Sequence, residues 1–443
     1  MMAFDELQLE RWVATLGATA AEPAPHRRQP VHTCYGGAHL FRADLPAKLG
    51  ALALRTVDEQ LPDGASFATR FGGDQARGEA LLAAVREKLR REPVEDYRID
   101  FEDGYGHRPD DEEDGHGAQA GVEVGQALVE GSLPPGIGLR IKALTPATAA
   151  RGLRTLDRFV AALLDRSGGL VPPGFVVTLP KVESPAEVAL LAEVLGLLEH
   201  RHGLAAGALR LELMIETPRA LVDEEGRLGL GRLVAAAGGR CVAAHFGAYD
   251  YTAALGITAA EQRLDHPACD LARQLMQLGL AGAPIAVVDG ATTELPVPPH
   301  RGADLDEARR QANHRTVGEA LSLHYRNVRR ALAGGIYQGW DLHPAQLPAR
   351  YAAVFAFFRD GLEASAQRLR RFVDQAAQAS LSGHQFDDAA TGQGLLNFFL
   401  RGLACGALVE ADLAPAGLTA LELAPRSFPR LVAARRSRPQ GVG

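Results

Sequence analysis

The sequence predicts an α/β fold, a closed (β/α)8 barrel followed by a C-terminal helical extension. Three observations predict it. Eight short β-prone runs recur between residues 31 and 342. Longer Ala/Leu-rich stretches of helical period separate them, which is the alternation of a parallel sheet covered by helices. A doubly wound sheet is the alternative, but no G-x-G-x-x-G follows the first run and no G-x-x-x-x-G-K-[ST] occurs anywhere.

The strands are expected at VHTCY (31–35), YRIDFE (97–102), GLRIK (138–142) and FVVTLP (175–180). They continue at LRLELMIE (209–216), CVAAHFG (241–247), PIAVVDG (284–290) and IYQGWDL (336–342). Helices are expected between them, for example over 145–166 and 184–203. Several open on Ser, Thr or Asp with Pro in the first turn, as helix N-termini prefer. After residue 344 the period is helical throughout, over 351–379 and 391–410. We divide the chain into an N-terminal segment and Pro-rich linker (1–30), the barrel (31–360) and the C-terminal helical extension (361–443). The acidic run HRPDDEEDGHGAQA (107–120) reads as a solvated loop inserted after strand two. PVPPHRGADLDE (296–307) reads as a second insertion, making 296–335 long and leading into a helix before strand eight. The basic tail ARRSRPQGVG is expected to fray.

Composition narrows the function classes. The chain has 443 residues, 47% hydrophobic and 23% charged, an ordinary globular balance with material for a large core. With 47 Lys+Arg against 54 Asp+Glu the net charge is −7, which disfavours non-specific nucleic-acid binding. Four cysteines, Cys34, Cys241, Cys269 and Cys405, form no C-x-x-C pair, so neither a zinc knuckle nor a disulfide framework is expected. The start MMAFDELQLERW lacks the basic and apolar regions of a signal peptide, and no apolar run is long enough to span a membrane. A cytoplasmic location is expected.

In a (β/α)8 barrel, chemistry sits at the C-terminal ends of the strands. Charged residues gather there in this sequence. Strand two ends in Asp100, Glu102 and Asp103, and strand three in Arg140 and Lys142. Lys181 and Glu183 follow strand four, Glu216 ends strand five, Asp250 follows strand six, and Asp289 ends strand seven. Asp341 and His343 end strand eight. One such residue would be a helix cap more often than a catalyst; the repetition is what points to a site.

Glu216 and Asp250, with no Cys or clustered His beside them, are the candidate ligands for Mg2+ or Mn2+. Arg140 offers a planar fork for a substrate carboxylate or a developing oxyanion. Glu102, Asp103, Lys181 and His343 are further catalytic candidates, and Gly247 and Asp289 are candidate substrate contacts. Capping and salt bridging compete with catalysis at Lys181 and Glu183, as a structural role does at Glu102, Asp103 and His343. His245, inside a strand, is expected to be packed, and His200 and His202 to lie on the surface.

Taken in order, these residues resemble the HpcH/HpaI aldolase and citrate lyase β-subunit superfamily, which includes malyl-CoA lyases and, more distantly, malate synthases. The family's D-L-E-D is matched by Asp100–Phe101–Glu102–Asp103, and V-R-V-N by Leu139–Arg140–Ile141–Lys142 followed by Thr145. P-K-x-E-S is present as Pro180–Ser184, and I-E-T as Ile215–Glu216–Thr217. G-x-x-D-L-x-x-x-L-G corresponds to Gly247, Asp250, Tyr251, Leu255 and Gly256, and I-H-P-x-Q to Leu342–Gln346. Six motifs in correct order over residues 31–355 carry the resemblance. Lys142 in place of Asn is its main departure.

The resemblance implies a Mg2+-dependent barrel lyase, with Glu216 and Asp250 at the positions of the metal ligands and Arg140 at that of the substrate arginine. It also implies a homo-oligomer, a trimer or hexamer, in which the C-terminal region reaches toward a neighbour's site. The expected reaction makes or cleaves a carbon–carbon bond between a 2-oxo acid (glyoxylate, pyruvate or oxaloacetate) and an enolate partner, either an acyl-coenzyme A or a second 2-oxo acid. The general base stays open between Asp103, Asp289, His343 and a carboxylate from another subunit. Two other readings remain: a phosphoenolpyruvate- or pyruvate-type enolate enzyme on the same barrel, and a non-catalytic barrel with a binding role.

Overall fold

In the computed structural model, eight parallel strands close on themselves in sequence order, β1 pairing with both β2 and β8. The structure describes Gln8, Glu10 and Arg11 and residues 28–302, 304–378 and 389–436. Most of the N-terminal segment and linker, and the basic tail beyond residue 436, lie outside the described residues. The strands are β1 His32–Gly37, β2 Asp96–Asp100, β3 Gly136–Arg140, β4 Val176–Leu179, β5 Arg210–Ile215, β6 Cys241–Phe246, β7 Ala286–Ala291 and β8 Gln338–Asp341. Each falls on one of the eight expected runs.

The main helices are α1 Leu45–Gln60, α2 Gly64–Phe71, α3 Gln75–Arg91, α4 Asp110–Glu130, α5 Ala149–Ser167 and α6 Pro185–His202. Then follow α7 Leu230–Ala236, α8 Ala248–Ala254, α9 Pro267–Gly279, α10 Glu307–Ala333, α11 Leu347–Gln378, α12 Ala389–Cys405 and α13 Phe428–Arg436. Local chemistry sets their ends. Ser184 and Glu187 form a capping box ahead of Pro185, and Gly203 closes α6 in the left-handed conformation.

The acidic run is not a loop. Asp110, Asp111, Glu112 and Glu113 form the first turn of α4, where carboxylates meet the positive end of the helix dipole. Glu113 is buried against Lys142 at 3.1 Å and Arg151 at 3.5 Å. Small residues let α4 lie directly on α5: a Cβ at Gly121 would stand 2.3 Å from the Phe159 carbonyl oxygen.

Alternate strand residues face opposite ways. Ile99, Leu139, Val177, Leu213 and Phe246 point outward and are fully buried under the helices. That apolar layer is continuous with Leu396, Phe399, Leu413 and Leu431 of the C-terminal region. The helix α11 runs unbroken across residue 360, and its Phe358 meets Phe398 of α12 at 5.2 Å between ring centroids. Among the described residues, no helix is long and apolar enough to cross a membrane.

The lumen is polar. Arg98 of β2 donates to Glu212 of β5 at 2.6 and 2.8 Å. Strands three apart in the wall can meet only through the interior. Thr178 of β4 also donates to Glu212, and His245 of β6 lies 3.2 Å from it. Burial alone would raise the Glu212 carboxyl; Arg98 and His245 reverse that and hold it well below the usual range. His245 Nδ1 accepts from the Trp340 indole at 2.9 Å, so its proton sits on Nε2, facing Glu212. Below this layer, Thr33 bridges Gln338 and Asp96.

Breaking the pair strands a buried charge. Arg98 also donates to the buried Asp96. Arg98→Met should therefore cost about 3–5 kcal/mol in denaturant unfolding, and the double change Arg98→Met with Glu212→Leu should recover only the share due to Glu212. Equal costs for the single and double variants would show that the pair does not act as a unit.

Candidate active site

The C-terminal mouth of the barrel gathers the charged residues that end successive strands. β2 delivers Asp100, and the turn after it delivers Glu102 and Asp103. Asp100 is saturated: it accepts the Glu102 N–H at 2.9 Å, the Gly104 N–H at 2.7 Å and two donors of Arg140, Nε at 2.6 Å and Nη2. Gly104 is required here, since a Cβ would fall 2.6 Å from the Asp100 carboxylate.

Arg140 is therefore not a free fork. Only Nη1 is turned toward Glu102 at 3.3 Å and Asp103 at 3.4 Å. Its guanidinium sits 5.2 Å over the Tyr35 ring, which floors the site. Lys142 points away, donating to the Phe101 carbonyl at 2.9 Å and pairing with Glu113, so the departure from Asn adds no free charge at the mouth.

Glu216, 2% exposed, lies one residue beyond β5. Thr217 behind it caps a short helix by accepting the Ala220 N–H at 3.2 Å and donates to the Val182 carbonyl at 2.9 Å, which fixes the strand end. Glu216 accepts the Lys181 N–H at 2.7 Å. To present that N–H, Lys181 adopts φ 50°, a left-handed conformation that a non-glycine residue holds only when its surroundings impose it. The same residue's ammonium reaches Glu102 at 2.6 Å, Asp103 at 3.1 Å and Asp250 at 3.4 Å.

Gly247 follows β6, and a Cβ there would lie 2.3 Å from the Glu216 Cβ. A glycine here leaves room for the Glu216 side chain. The next turn, the start of α8, carries Asp250.

Two predicted residues lie apart from this cluster. Asp289 faces the helix layer, where it pairs with Arg273 of α9 at 3.0 Å; its neighbour Val288 faces the lumen instead. His343 caps the turn Pro344–Gln346, its Nδ1 accepting the Ala345 N–H at 3.2 Å, while Gln346 accepts from Leu342 and His343. The H-P-x-Q motif is in use as a cap. Asp341 likewise turns outward, to Arg350, His32 and His324. Sequence reasoning passed over Tyr35 and Gly104 and gave Asp100 no role. The D-F-E-D spacing signals Asp100, but nothing local signals Tyr35.

Burial and the neighbouring Asp103 push Glu102 up. Burial also acts to raise Asp103, but Glu102, Arg140 and Lys181 outweigh it and hold it down. Burial pulls the Lys181 ammonium down, and Glu102, Glu216 and Asp103 reverse that and hold it high. Glu216 stands out: burial pushes it up to about 7, with Asp250 adding to the rise against Arg140 and Lys181. Five carboxylates (Asp100, Glu102, Asp103, Glu216 and Asp250) thus face two cations (Arg140 and Lys181).

That surplus, with an ammonium already drawn among the oxygens, fits a hard divalent ion taking one or two carboxylates with water and substrate oxygens. Among the described residues, the one set of three ligand types within 4.8 Å is His32, Cys34 and Asp341. It does not fit an ion. Both His32 nitrogens are occupied, by Asp341 and the Glu95 N–H, Asp341 is paired with Arg350, and burial keeps the Cys34 thiol protonated.

A family model described as a domain of unknown function, DUF6986, matches residues 20–431. No curated protein matches the sequence. Solved structures that match include Haloferax volcanii malate synthase in a magnesium/glyoxylate complex, 16% identical, covering 94% of this chain and 97% of that one with a TM-score of 0.44. The pyruvate/acetyl-CoA ternary complex of the same enzyme matches at 15% identity, covering 94% and 100%, also with a TM-score of 0.44.

A carboxyl held up to about 7 favours the folded state only while protonated, so metal-free protein should lose stability as pH climbs from 4.5 through about 7. Glu216→Gln should remove that loss, raising the Tm of metal-free protein at alkaline pH and leaving it unchanged in acid. In the wild type, Mg2+ affinity should rise about tenfold per pH unit up to about 7 and then level, because one proton must leave. An affinity flat across that range would exclude Glu216 as a ligand. Gly247→Ala should displace Glu216 and weaken Mg2+ binding by about tenfold or more in calorimetry, although the glycine offers no ligand.

Proposed function

The chain belongs to the DUF6986 family, and from that premise we propose that it is a Mg2+- or Mn2+-dependent enzyme making or cleaving a carbon–carbon bond between a 2-oxo acid and an enolate partner. The partner is an acyl thioester of coenzyme A or a second 2-oxo acid. One observation carries the reading. A buried carboxyl with a near-neutral pKa, Glu216, shares an ammonium-bridged cluster with Asp250 at the barrel mouth, beside an arginine fixed by Asp100. The six ordered motifs and their resemblance to the aldolase and citrate lyase superfamily support it.

Glu216 and Asp250 would hold the ion, which would supply Lewis-acid polarisation of the oxo-acid carbonyl. The chain's own residues do the rest. Asp100 spends two of Arg140's donor groups on orientation, leaving Nη1 as a preorganised donor for charge that develops on the substrate oxygen. Lys181 balances Glu102 and Asp103 and keeps Glu216 in place through its backbone N–H. Asp289 and His343 are engaged elsewhere, so among the chain's own candidates the base role falls to Asp103, half-exposed and held ionised by Arg140 and Lys181.

The test is calorimetry of Mg2+ into wild type, Glu216→Gln and Asp250→Asn, with glyoxylate, pyruvate and oxaloacetate each present, alongside turnover with and without acyl-coenzyme A. Either substitution should weaken Mg2+ by about 10–100-fold. Arg140→Gln should lower kcat by about 100-fold or more. Mg2+ affinity should be retained once the pH is high enough to ionise Glu216, whose carboxyl Arg140 otherwise helps to hold down. Metal binding that no oxo acid strengthens would overturn the reading.

A further inference from the structure

A cavity of about 570 Å3 lies at the opposite end of the barrel, between its N-terminal floor and α12. Its apolar wall includes Val354 and Phe358 of α11 and Leu400 of α12, and its polar wall includes Asn397, Arg401 and Arg426. Arg401 is the unusual member. It is half-buried, stacks 3.9 Å over the Tyr337 ring, and donates Nη1 to the Gln29 side chain at 3.0 Å. No carboxylate among the described residues pairs with it.

Arg28, on the same cavity, shows the ordinary arrangement, because Glu92 and Glu95 both engage it. Arg426, exposed at the rim, is held at φ 51° while its carbonyl accepts the Gln393 amide at 3.2 Å. It too has no acidic partner among the described residues. Two arginines without a carboxylate partner among the described residues therefore line one cavity that also offers apolar surface.

Leaving an arginine half-buried without a counter-ion is costly, and desolvation accordingly pulls the Arg401 guanidinium below its ordinary value. An oxyanion supplied from outside removes that cost, and the guanidinium fork suits carboxylate and phosphate equally. We propose that this cavity is a second binding site, for a small carboxylate or phosphate anion with an apolar body, formed by Arg401 and Arg426 against Phe358, Val354 and Leu400. It stands at the end of the barrel away from the carboxylate cluster, so its occupant is an effector or structural ligand rather than the reacting substrate. The proposal is independent of the reaction assigned to the mouth.

The probes are benzoate, phenyl phosphate and inorganic phosphate, read by calorimetry and by the rise in Tm. Benzoate and phenyl phosphate separate the carboxylate from the phosphate source. Whichever is preferred should bind about tenfold more tightly than inorganic phosphate, which lacks the apolar body. Arg401→Gln should weaken that binding by about tenfold or more and abolish the Tm rise. Without ligand its Tm should stay close to the wild type's, since no carboxylate is orphaned and the desolvated charge removed offsets the lost Tyr337 and Gln29 contacts. Should Arg401→Gln fail to fold, Arg426→Gln at the exposed rim carries the test, with a loss of about threefold expected. The proposal is overturned if none of the probes binds wild type at up to about 10 mM, or if the folded variant binds as wild type does.

Discussion

The Arg98–Glu212 pair is the interaction on which the interior depends. A barrel lumen filled with branched apolar side chains needs only volume matching, whereas this one needs its polar atoms paired in place. Arg98 reaches across from β2, and Glu212 answers from β5 while also holding Thr178 and facing His245. His245 orients Trp340 and Tyr35, and the Tyr35 ring underlies Arg140. A chain of specific contacts thus runs from the middle of the lumen to the mouth, and the position of Arg140 is inherited from a charge pair well below it.

At the mouth the logic is a deliberate imbalance. Asp100 and Arg140 neutralise each other, and Lys142 is neutralised from behind by Glu113. What remains is a carboxylate surplus with Lys181 drawn into it at the expense of a strained backbone angle. Strain held by surrounding structure, beside a carboxyl that titrates near neutrality, is the combination expected where a site waits for a cation.

The strands were legible because their outward faces are continuous apolar runs that stop at charge. Glu216, Asp250, Arg140 and Lys181 were legible for the same reason, and the structure brings them together. Side-chain direction was not. In a strand a shift of one residue exchanges lumen for helix layer. Asp289 and Asp341 each follow a lumen-facing neighbour, Val288 and Trp340, so they turn outward; the ladder between β7 and β8 is also irregular between Val288 and Ala291. Composition misread the acidic run for another reason. Its charge pattern fits solvent equally well, and only its Gly/Ala spacing along α5 and the partners waiting for Glu113 make it a helix. His343 shows the converse, since a capping box and a catalytic His-Pro look alike until the acceptor is seen.

Closure of the ring has a consequence for synthesis. The seam joins β1 to β8, and His32 and Asp341, hydrogen-bonded at 2.8 Å across it, are 309 residues apart. At ordinary elongation rates the first strand waits roughly 15–60 s on the ribosome before its second neighbour exists. Through that interval β1 has one open edge, and the partners of His32 and Cys34 are only half made. The growing chain is then an open sheet whose exposed rim must stay out of intermolecular pairing, and the ring cannot close before its last strand arrives.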